Sequence, residues 1–178
     1  FDALDKSRKT VVLTGAGIST LSGIKDFRSS NGLYSQEFGH MRVEDILDID
    51  FFLKHPSVFY SWAKDAWYNM HDYKPNVVHS VLRIMEEKGL LSEGIFTQNI
   101  DGLHQMAGSK NVLELHGSIH RNYCQRCGKF YDAKYVKESD GIPKCECGGI
   151  IKPDVVLYEE GLDNTTINQS LQAISEAD

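Results

Sequence analysis

Short apolar runs recur along the chain and are separated by longer amphipathic stretches. Residues 10–14, 95–98, 111–115 and 155–158 are runs of four or five mostly apolar positions rich in β-branched residues. Runs of this length and composition are typical of strands that are buried in a parallel sheet. The pattern therefore predicts four strands at these positions.

The stretches between these runs have helical patterns. We expect a helix that ends near Ser7 and a helical segment over residues 43–70, with Pro56 opening its second helix. A further helix is capped by Asn76 and ends at Gly89. Its apolar face is formed by Val78, Val81, Leu82 and Met85. Strands that alternate with helices predict an α/β fold with a Rossmann-like, doubly wound parallel sheet, whose ligands bind beyond the carboxyl ends of the strands.

Composition and charge narrow the classes of protein. The chain has 178 residues, of which 41% are hydrophobic and 25% charged, and its net charge is −6 with no run of basic residues. These values favour a packed fold, make nucleic acid an unexpected partner and slightly favour basic partners. No stretch has the roughly 18 apolar residues of a membrane span, and the start lacks the order of a signal peptide. We expect a soluble, cytoplasmic protein.

All four cysteines lie in one short segment, in two pairs. Two residues separate Cys124 from Cys127, seventeen separate Cys127 from Cys145, and one separates Cys145 from Cys147. This spacing predicts a zinc-ribbon module, and four thiolates leave no open position for catalysis, so the zinc would be structural. Two disulfides or inert thiols are the alternative. Such a module could also bind nucleic acid or protein.

Polar and glycine residues follow three of the predicted strands. Gly15 and Gly17 follow the first strand and suit a tight turn against a pyrophosphate, although a dehydrogenase fingerprint would have a glycine where Thr20 stands. A plain turn is the alternative. Asn99 and Asp101 follow the second strand, where they could bond ribose hydroxyls or a carboxamide, or form an Asx turn with a helix cap. His116 follows the third strand, and histidine is the natural proton acceptor near neutral pH.

Several longer runs share one family resemblance. Residues 15–28, 97–104, 113–118 and 152–160, with the cysteine pairs between the last two, resemble the motifs of the sirtuins, which are NAD-dependent protein-lysine deacylases. The motifs occur in the family's order, and the resemblance extends from about Lys9 to Glu160. Lys25 stands where the family usually has proline, and Glu159 stands where it usually has glycine.

The resemblance implies a role for each matching position. His116 would be the catalytic base, Val155 and Val156 would flank the acyl-lysine channel, and the zinc module would be an insertion. The cofactor-binding residues would be Gly15, Ala16, Gly17, Thr20, Asp26, Phe27, Arg28, Gln98, Asn99 and Asp101. The substrate peptide would pair as an added strand with Val155, Val156, Leu157 and Tyr158.

The implied activity is transfer of an acyl group from protein lysine to the ADP-ribose part of NAD with release of nicotinamide. NAD-dependent protein ADP-ribosylation and a non-catalytic module that binds NAD or a peptide are the alternatives. Residues 66–70 contain a tyrosine but not the tyrosine and arginine pair of relatives that prefer acidic acyl groups. We therefore expect an acetyl or other uncharged acyl group.

The same reasoning predicts a domain organisation. Residues 1–119 and 153–178 would form the NAD-binding domain, with a helical insertion over about 40–75, and residues 120–152 would form the zinc module. The resemblance implies later segments that hold the adenosine half of NAD, so we expect the chain to be a fragment of a longer protein.

Overall fold

The computed structural model describes residues 4, 6–69 and 72–178. The predicted helix that ends near Ser7 and the Met70 end of the predicted helical segment reach into residues outside these ranges. Within the ranges, no helix is both long enough and apolar enough to cross a membrane. Backbone contacts divide the chain into two compact units: the first contains residues 1–24, 73–116 and 162–178, and the second contains 25–72 and 117–161.

The described residues form strands, α-helices and two 3₁₀ helices. The strands are β1 (Val12–Thr14), β2 (Glu37–Phe38), β3 (Met41–Arg42), β4 (Ile95–Thr97), β5 (Val112–Glu114), β6 (Gly117–Cys124), β7 (Phe130–Asp132) and β8 (Ile151–Val155). The α-helices are α1 (Val43–Ile46), α2 (Ile49–Lys54), α3 (Pro56–Ala66), α4 (Val77–Glu87), α5 (Leu103–Ala107), α6 (Ala133–Glu138) and α7 (Asn164–Glu176). The 3₁₀ helices are Ala16–Ser22 and Leu33–Ser35.

A parallel three-stranded sheet forms the centre of the first unit. Its order is β1-β4-β5, and Thr14, Thr97 and Glu114 lie side by side in register. Ile95 and Phe96 of the middle strand are almost fully buried, as expected for apolar residues of a covered parallel sheet. The structure thus confirms the predicted strands at 10–14, 95–98 and 111–115 and the parallel α/β class.

Helix α4 begins where its sequence predicts. The Asn76 side chain accepts a hydrogen bond from the backbone N–H of Val78 at 2.9 Å, which satisfies one of the free donors of the first turn. The helix ends at Glu87, shortly before Gly89, whose φ is 72°. Of the predicted apolar face, Val81 is exposed while the other three residues are half-buried.

The second unit is built on an aromatic core from helices α2 and α3. Phe52, Phe59 and Trp67 pack edge to face, with ring centroids 4.9 Å and 5.8 Å apart along the series. The Asp48 side chain caps α2, and Pro56 is the first residue of α3. Pro56 therefore opens the third helix of this segment rather than the second, because the Asp48 cap interrupts the pattern after Ile46.

A second sheet, antiparallel and ordered β7-β6-β8, completes this unit. The predicted strand at 155–158 was wrong in its position: β8 covers Ile151–Val155 and pairs with β6, and Tyr158 makes only an isolated bridge with Asp48. A run of apolar residues indicates extended backbone, but it does not indicate which sheet the strand joins. Here the strand follows the cysteines in the sequence and pairs with β6. The predicted boundaries at 119 and 153 stay a prediction.

Candidate functional site

Three chain segments leave the parallel sheet at its carboxyl edge. Because β1, β4 and β5 are parallel and in register, the residues that follow Thr14, Thr97 and Glu114 emerge side by side. Two main-chain hydrogen bonds hold these segments together beyond the strands, from Gln98 N to the Thr14 carbonyl at 2.9 Å and from Leu115 N to the Thr97 carbonyl at 2.8 Å. The predicted glycine turn, amide and carboxylate pair, and histidine therefore share one edge.

Ser19 connects the two polar residues that follow β4. Its hydroxyl donates to Asp101 Oδ2 at 2.7 Å and accepts from Asn99 Nδ2 at 3.2 Å. The Asn99 amide also donates to the carbonyl of Gly15 at 3.2 Å. All three side chains are more than nine-tenths buried. Buried polar groups that satisfy one another in this way are held rigidly, which preorganises a binding site.

The predicted Asx turn is also present. Asp101 Oδ1 accepts the backbone N–H of Leu103 at 2.9 Å at the start of α5, while Oδ2 is the oxygen that Ser19 contacts. One carboxylate oxygen therefore organises the helix start and the other belongs to the polar cluster. The structural and the functional interpretations of Asp101 are compatible.

The glycine turn after β1 is open. A Cβ atom on Gly17 would contact nothing within 4 Å, and one on Gly15 would meet Gln98 Oε1 at an ordinary 3.5 Å. Ala16 begins the 3₁₀ helix, and Gly15 at its N-cap has an extended backbone and no side-chain cap. The Thr20 hydroxyl donates to the Gly17 carbonyl at 2.8 Å and so stabilises the turn itself.

His116 is oriented by the main chain. Its Nδ1 lies 3.1 Å from the carbonyl oxygen of Gln98. Since a carbonyl oxygen can only accept, Nδ1 carries the proton, and Nε2 of the neutral ring has the free lone pair. The side chain is half-buried, so Nε2 is accessible as a base.

Two further histidines lie buried under this edge. His104 Nε2 is 3.0 Å from the Thr14 hydroxyl, and the rings of His104 and His79 are 5.0 Å apart. Burial, assisted by the neighbouring His79, lowers the pKa of His104 to about 4. Burial likewise lowers the pKa of His79. Both rings are therefore neutral at pH 7, which agrees with a structural role for His104.

Asp26, Phe27 and Arg28 lie in the second unit, in a loop that folds back on itself. The N–H of Leu33 donates to the Asp26 carbonyl at 2.8 Å, and that of Tyr34 donates to the Phe27 carbonyl at 2.9 Å. Asp26 and Phe27 are half-buried, whereas Arg28 is exposed. Arg28 is therefore free to reach an anion outside the loop.

The predicted substrate residues follow β8 in the same unit. Val155 and Leu157 are buried, Val156 is half-buried and Tyr158 is exposed. Lys152 makes two contacts that fix this backbone. Its Nζ donates to the Val155 carbonyl at 2.9 Å and lies 2.9 Å from Glu160 Oε2. The same carboxylate oxygen accepts the N–H of Leu157 at 2.8 Å. The segment is thus fixed in shape by a largely buried ion pair.

Tyr68 of the predicted acyl-pocket segment is buried in the second unit. Its hydroxyl donates to Asn122 Oδ1 at 2.5 Å, and burial raises its pKa. Met70 of the same segment lies outside the described residues.

The four cysteine sulfurs form one cluster within the second unit. All lie within 4.8 Å of one another, and the pairs Cys124–Cys147, Cys127–Cys145 and Cys127–Cys147 are each 3.5 Å apart. Four sulfurs at about 2.3 Å from a tetrahedral zinc ion lie about 3.8 Å from one another, so this spacing fits such an ion. None of the four forms a disulfide. The cluster supports the structural zinc rather than the disulfide alternative.

Three residues with a part in these arrangements were not predicted as site residues. Ser19 lies inside the matched run 15–28 and Tyr34 lies in the loop that follows it, but a single hydroxyl has no spacing that marks it. Lys152 could have been identified, because it is a charged residue within a buried strand. A buried lysine requires a partner, so its position alone indicated an ion pair.

The chain is similar throughout to proteins of one family. The model described as the Sir2 family matches residues 15–178. An NAD-dependent protein deacetylase of Clostridium perfringens is 51% identical over 179 residues, and the match covers 99% of this chain and 72% of that protein. The corresponding deacetylase of Clostridium acetobutylicum is 53% identical over 176 residues, which cover 97% of this chain and 71% of that protein.

Solved structures agree with this similarity. A structure of Sir2 with a deacetylated p53 peptide and 3'-O-acetyl ADP-ribose superimposes with a TM-score of 0.91 at 45% identity, and covers 99% of this chain and 71% of that one. A structure of Sir2 with a p53 peptide and NAD⁺ gives a TM-score of 0.85 at 46% identity, with coverage of 99% and 70%.

Proposed function

Since the chain belongs to the Sir2 family and is an NAD-dependent protein deacetylase, we propose that the carboxyl edge of its parallel sheet is the reaction site, with His116 as the base. The observation that carries this assignment is the hydrogen bond between His116 Nδ1 and the Gln98 carbonyl, because it leaves Nε2 as the acceptor at this edge.

The groups at this edge suit the cofactor. Gly15, Ala16 and Gly17 form an open turn at the start of a 3₁₀ helix, and a backbone turn of this kind can approach a diphosphate closely. Gln98, Asn99 and Asp101 supply amide and carboxylate groups that can bond a carboxamide and ribose hydroxyls. Thr20 supports the turn. Asp26, Phe27 and Arg28, in the loop of the second unit, are the other members of the proposed cofactor-binding set, as the family resemblance implies.

His116 moves one proton in the proposed reaction. When bound, NAD would supply the ribose carbon to which the acyl-lysine carbonyl oxygen bonds as the bond to nicotinamide breaks. One water molecule is then consumed to release the lysine, so that acyl-lysine, NAD and water give lysine, nicotinamide and O-acyl-ADP-ribose. His116 Nε2 accepts the proton of a ribose hydroxyl. The Nδ1–H bond to the Gln98 carbonyl then stabilises the positively charged ring, because a carbonyl dipole favours the cation.

Val155, Val156, Leu157 and Tyr158 form the proposed substrate-binding segment. Val156, which is half-buried and directly follows β8, supports pairing with an acyl-lysine peptide as an added strand. The Tyr68 hydroxyl is engaged by Asn122, and no arginine occurs in residues 66–69, which supports an uncharged acyl group.

The zinc site and the compartment follow from the cysteines. Cys124, Cys127, Cys145 and Cys147 are the proposed ligands of the structural zinc ion. Four reduced thiols in a metal cluster favour a reducing compartment, and the cytoplasm is our proposal for the location. Fractionation of the producing cells, with an antibody to this chain, tests it.

The test of function is nicotinamide release from NAD with and without an acetyl-lysine peptide. It uses this chain and a chain extended to the length of its relatives, with a succinyl-lysine peptide as comparison. We expect release that depends on the acetyl peptide, with loss of its acetyl group. His116→Tyr should lower turnover by about 10² or more while NAD still binds, because the base is lost and the glycine turn is not. His40→Tyr, at an exposed position, is the matched control.

Other outcomes would change the assignment. Transfer of ADP-ribose to protein without acyl loss would replace deacylation by ADP-ribosylation. Unchanged turnover in His116→Tyr would remove His116 from the mechanism. Absence of nicotinamide release from both chains would leave a binding module.

A further inference from the structure

A series of aromatic contacts in the second unit connects the two proposed ligand-binding segments. We call residues 26–34 the cofactor loop and residues 155–158 the substrate segment. The rings of Phe27 and Tyr34 have centroids 5.2 Å apart, and those of Tyr34 and Tyr158 are 6.5 Å apart. The hydroxyl groups of Tyr34 and Tyr158 are hydrogen-bonded to each other. The loop and the segment are therefore joined through side chains.

Both ends of this series are fixed to the backbone. Tyr34 N donates to the carbonyl of Phe27 at 2.9 Å, so Tyr34 and Phe27 move together. Gly32 tightens the same loop, because a Cβ atom there would lie 2.7 Å from the Phe27 carbonyl carbon and oxygen. At the other end, Tyr158 donates to the Leu47 carbonyl at 2.9 Å and accepts from the N–H of Ile49 at 3.1 Å.

A displacement of Tyr34 therefore carries Phe27 with it, while Tyr158 stays in place. The Tyr34 hydroxyl is also a neutral partner at ordinary pH, because burial and then the bond to Tyr158 raise its pKa.

We propose that Tyr34 is a positioning residue for the cofactor side of the reaction, and that the Tyr158 hydroxyl of the substrate segment holds it in place. This inference rests on the proposed function, because Phe27 matters only if it borders the bound NAD. Tyr158 thereby acts on the cofactor through its hydroxyl, while its backbone is held by Leu47 and Ile49. A tyrosine rather than a phenylalanine is required at position 158 for the first role.

The test compares Tyr34→Phe, Tyr158→Phe and the double variant in the deacetylation assay. Each single variant should raise the KM for NAD about three- to tenfold, the effect of losing one neutral hydrogen bond, with a smaller change in kcat. The double variant should match the single variants, because both remove the same bond. An effect of Tyr158→Phe on the KM for the peptide alone would overturn the proposal, as would additive effects in the double variant.

A measurement that does not depend on activity separates this proposal from the proposed function. Hydrogen exchange at the N–H groups of Leu33 and Tyr34 should be about threefold faster or more in Tyr158→Phe than in the unaltered protein, since the loop is released. Tyr135→Phe is the matched control, because Tyr135 is 41% exposed against 44% for Tyr158 and its hydroxyl donates to the Lys144 carbonyl at 2.8 Å.

The two assays distinguish the possible failures. If the unaltered protein does not deacetylate but exchange is faster in Tyr158→Phe, the proposed function is refuted. The role of the Tyr34–Tyr158 hydrogen bond in fixing the cofactor loop is then retained. Deacetylation with equal exchange and equal KM for NAD in all variants would refute the positioning role alone. Faster exchange in Tyr135→Phe as well would show general loosening and would also overturn it.

Discussion

Glu159 has a backbone conformation that favours glycine. Its φ of 65° makes it the non-glycine residue with positive φ among the described residues. The left-handed conformation brings Cβ close to the following carbonyl and costs about 1–2 kcal/mol for a residue that has a Cβ atom. The strain lies directly after the substrate segment, at a position where the family usually has glycine.

Glu159→Gly should therefore stabilise the protein by about 0.5–1 kcal/mol, after allowance for the larger entropy of glycine in the unfolded chain. Urea denaturation measures the difference. Glu159→Ala keeps the Cβ atom and serves as the control, so an equal gain in that variant would point to the charge rather than to the backbone.

Lys152→Met should cost about 2–3 kcal/mol, because it leaves the Glu160 carboxylate and the Val155 carbonyl without their largely buried partner. Lys54→Met is the control, since the Lys54–Asp50 pair is exposed and is worth less than about 1 kcal/mol. Thermal and urea unfolding of both variants provide the comparison. Equal losses of unfolding free energy in the two variants would mean that burial of the Lys152–Glu160 pair adds nothing to its contribution to stability.

At the scale of single residues, the sequence indicates which residues belong to the site better than it indicates which of them contact one another. His116, Asn99 and Asp101 could be selected because each follows a strand, and strand ends converge in a parallel sheet. Ser19 could not, because its contacts join residues about 80 positions apart in the chain. The orientation of His116 depends likewise on a carbonyl group 18 residues earlier.

The Asn76 cap connects two elements of the first unit. Besides accepting from Val78 N, its amide donates to the Ile18 carbonyl at 2.7 Å and to the Ser22 hydroxyl at 2.8 Å. These bonds tie the start of α4 to the 3₁₀ helix of the glycine turn. The Asp163 side chain that caps α7, in contrast, bonds within its own first turn, where it accepts from the N–H and the hydroxyl of Thr166.

Asn76→Ala should therefore cost about 2 kcal/mol, against about 1 kcal/mol for Asp163→Ala. Urea denaturation of the two variants measures the difference. If the two losses are equal, the bonds from Asn76 to the 3₁₀ helix add no stability.

Elements were predictable where the signal is local. The strand at 95–98, the Asn76 cap and the zinc spacing depend on neighbouring residues, and the structure has them. The strand at 155–158 was misplaced because its true partner, β6, lies some 30 residues earlier and has a mixed polar pattern. The break between α1 and α2 was missed for a similar reason, since the Asp48 cap lies within a continuous apolar pattern.

The stability of the whole molecule should depend on the buried histidines. Burial lowers the pKa of His104 to about 4 and also lowers that of His79, although the charges of Asp101 and, for His104, Glu86 act in the opposite direction. The unfolded chain binds protons at these rings below about pH 6.5, whereas the folded His104 binds one only near pH 4. Stability contributed by His104 is therefore present above pH 6.5 and decreases as the pH falls toward 4.

The free energy of unfolding should fall by about 1 kcal/mol between pH 7 and pH 5 through His104, after allowance for its partial burial. His104→Gln should make this pH dependence shallower, and His40→Gln, at an exposed position, should leave it unchanged. Urea titrations at the two pH values measure both. If the free energy of unfolding falls equally between pH 7 and pH 5 in the unaltered protein and in His104→Gln, His104 is not the source of the pH dependence.

The two compact units alternate along the chain, which passes from one to the other after residues 24, 72, 116 and 161. During synthesis the ribosome must therefore release residues of both units before either is complete, because the last part of the second unit is made before helix α7 of the first. Folding proceeds from the N-terminus for separate domains, but here the first unit begins before the second and continues after it, so the first cannot be completed ahead of the second. The timing of translation and the supply of zinc to the nascent chain thus bear on how much of the newly made protein reaches the native state.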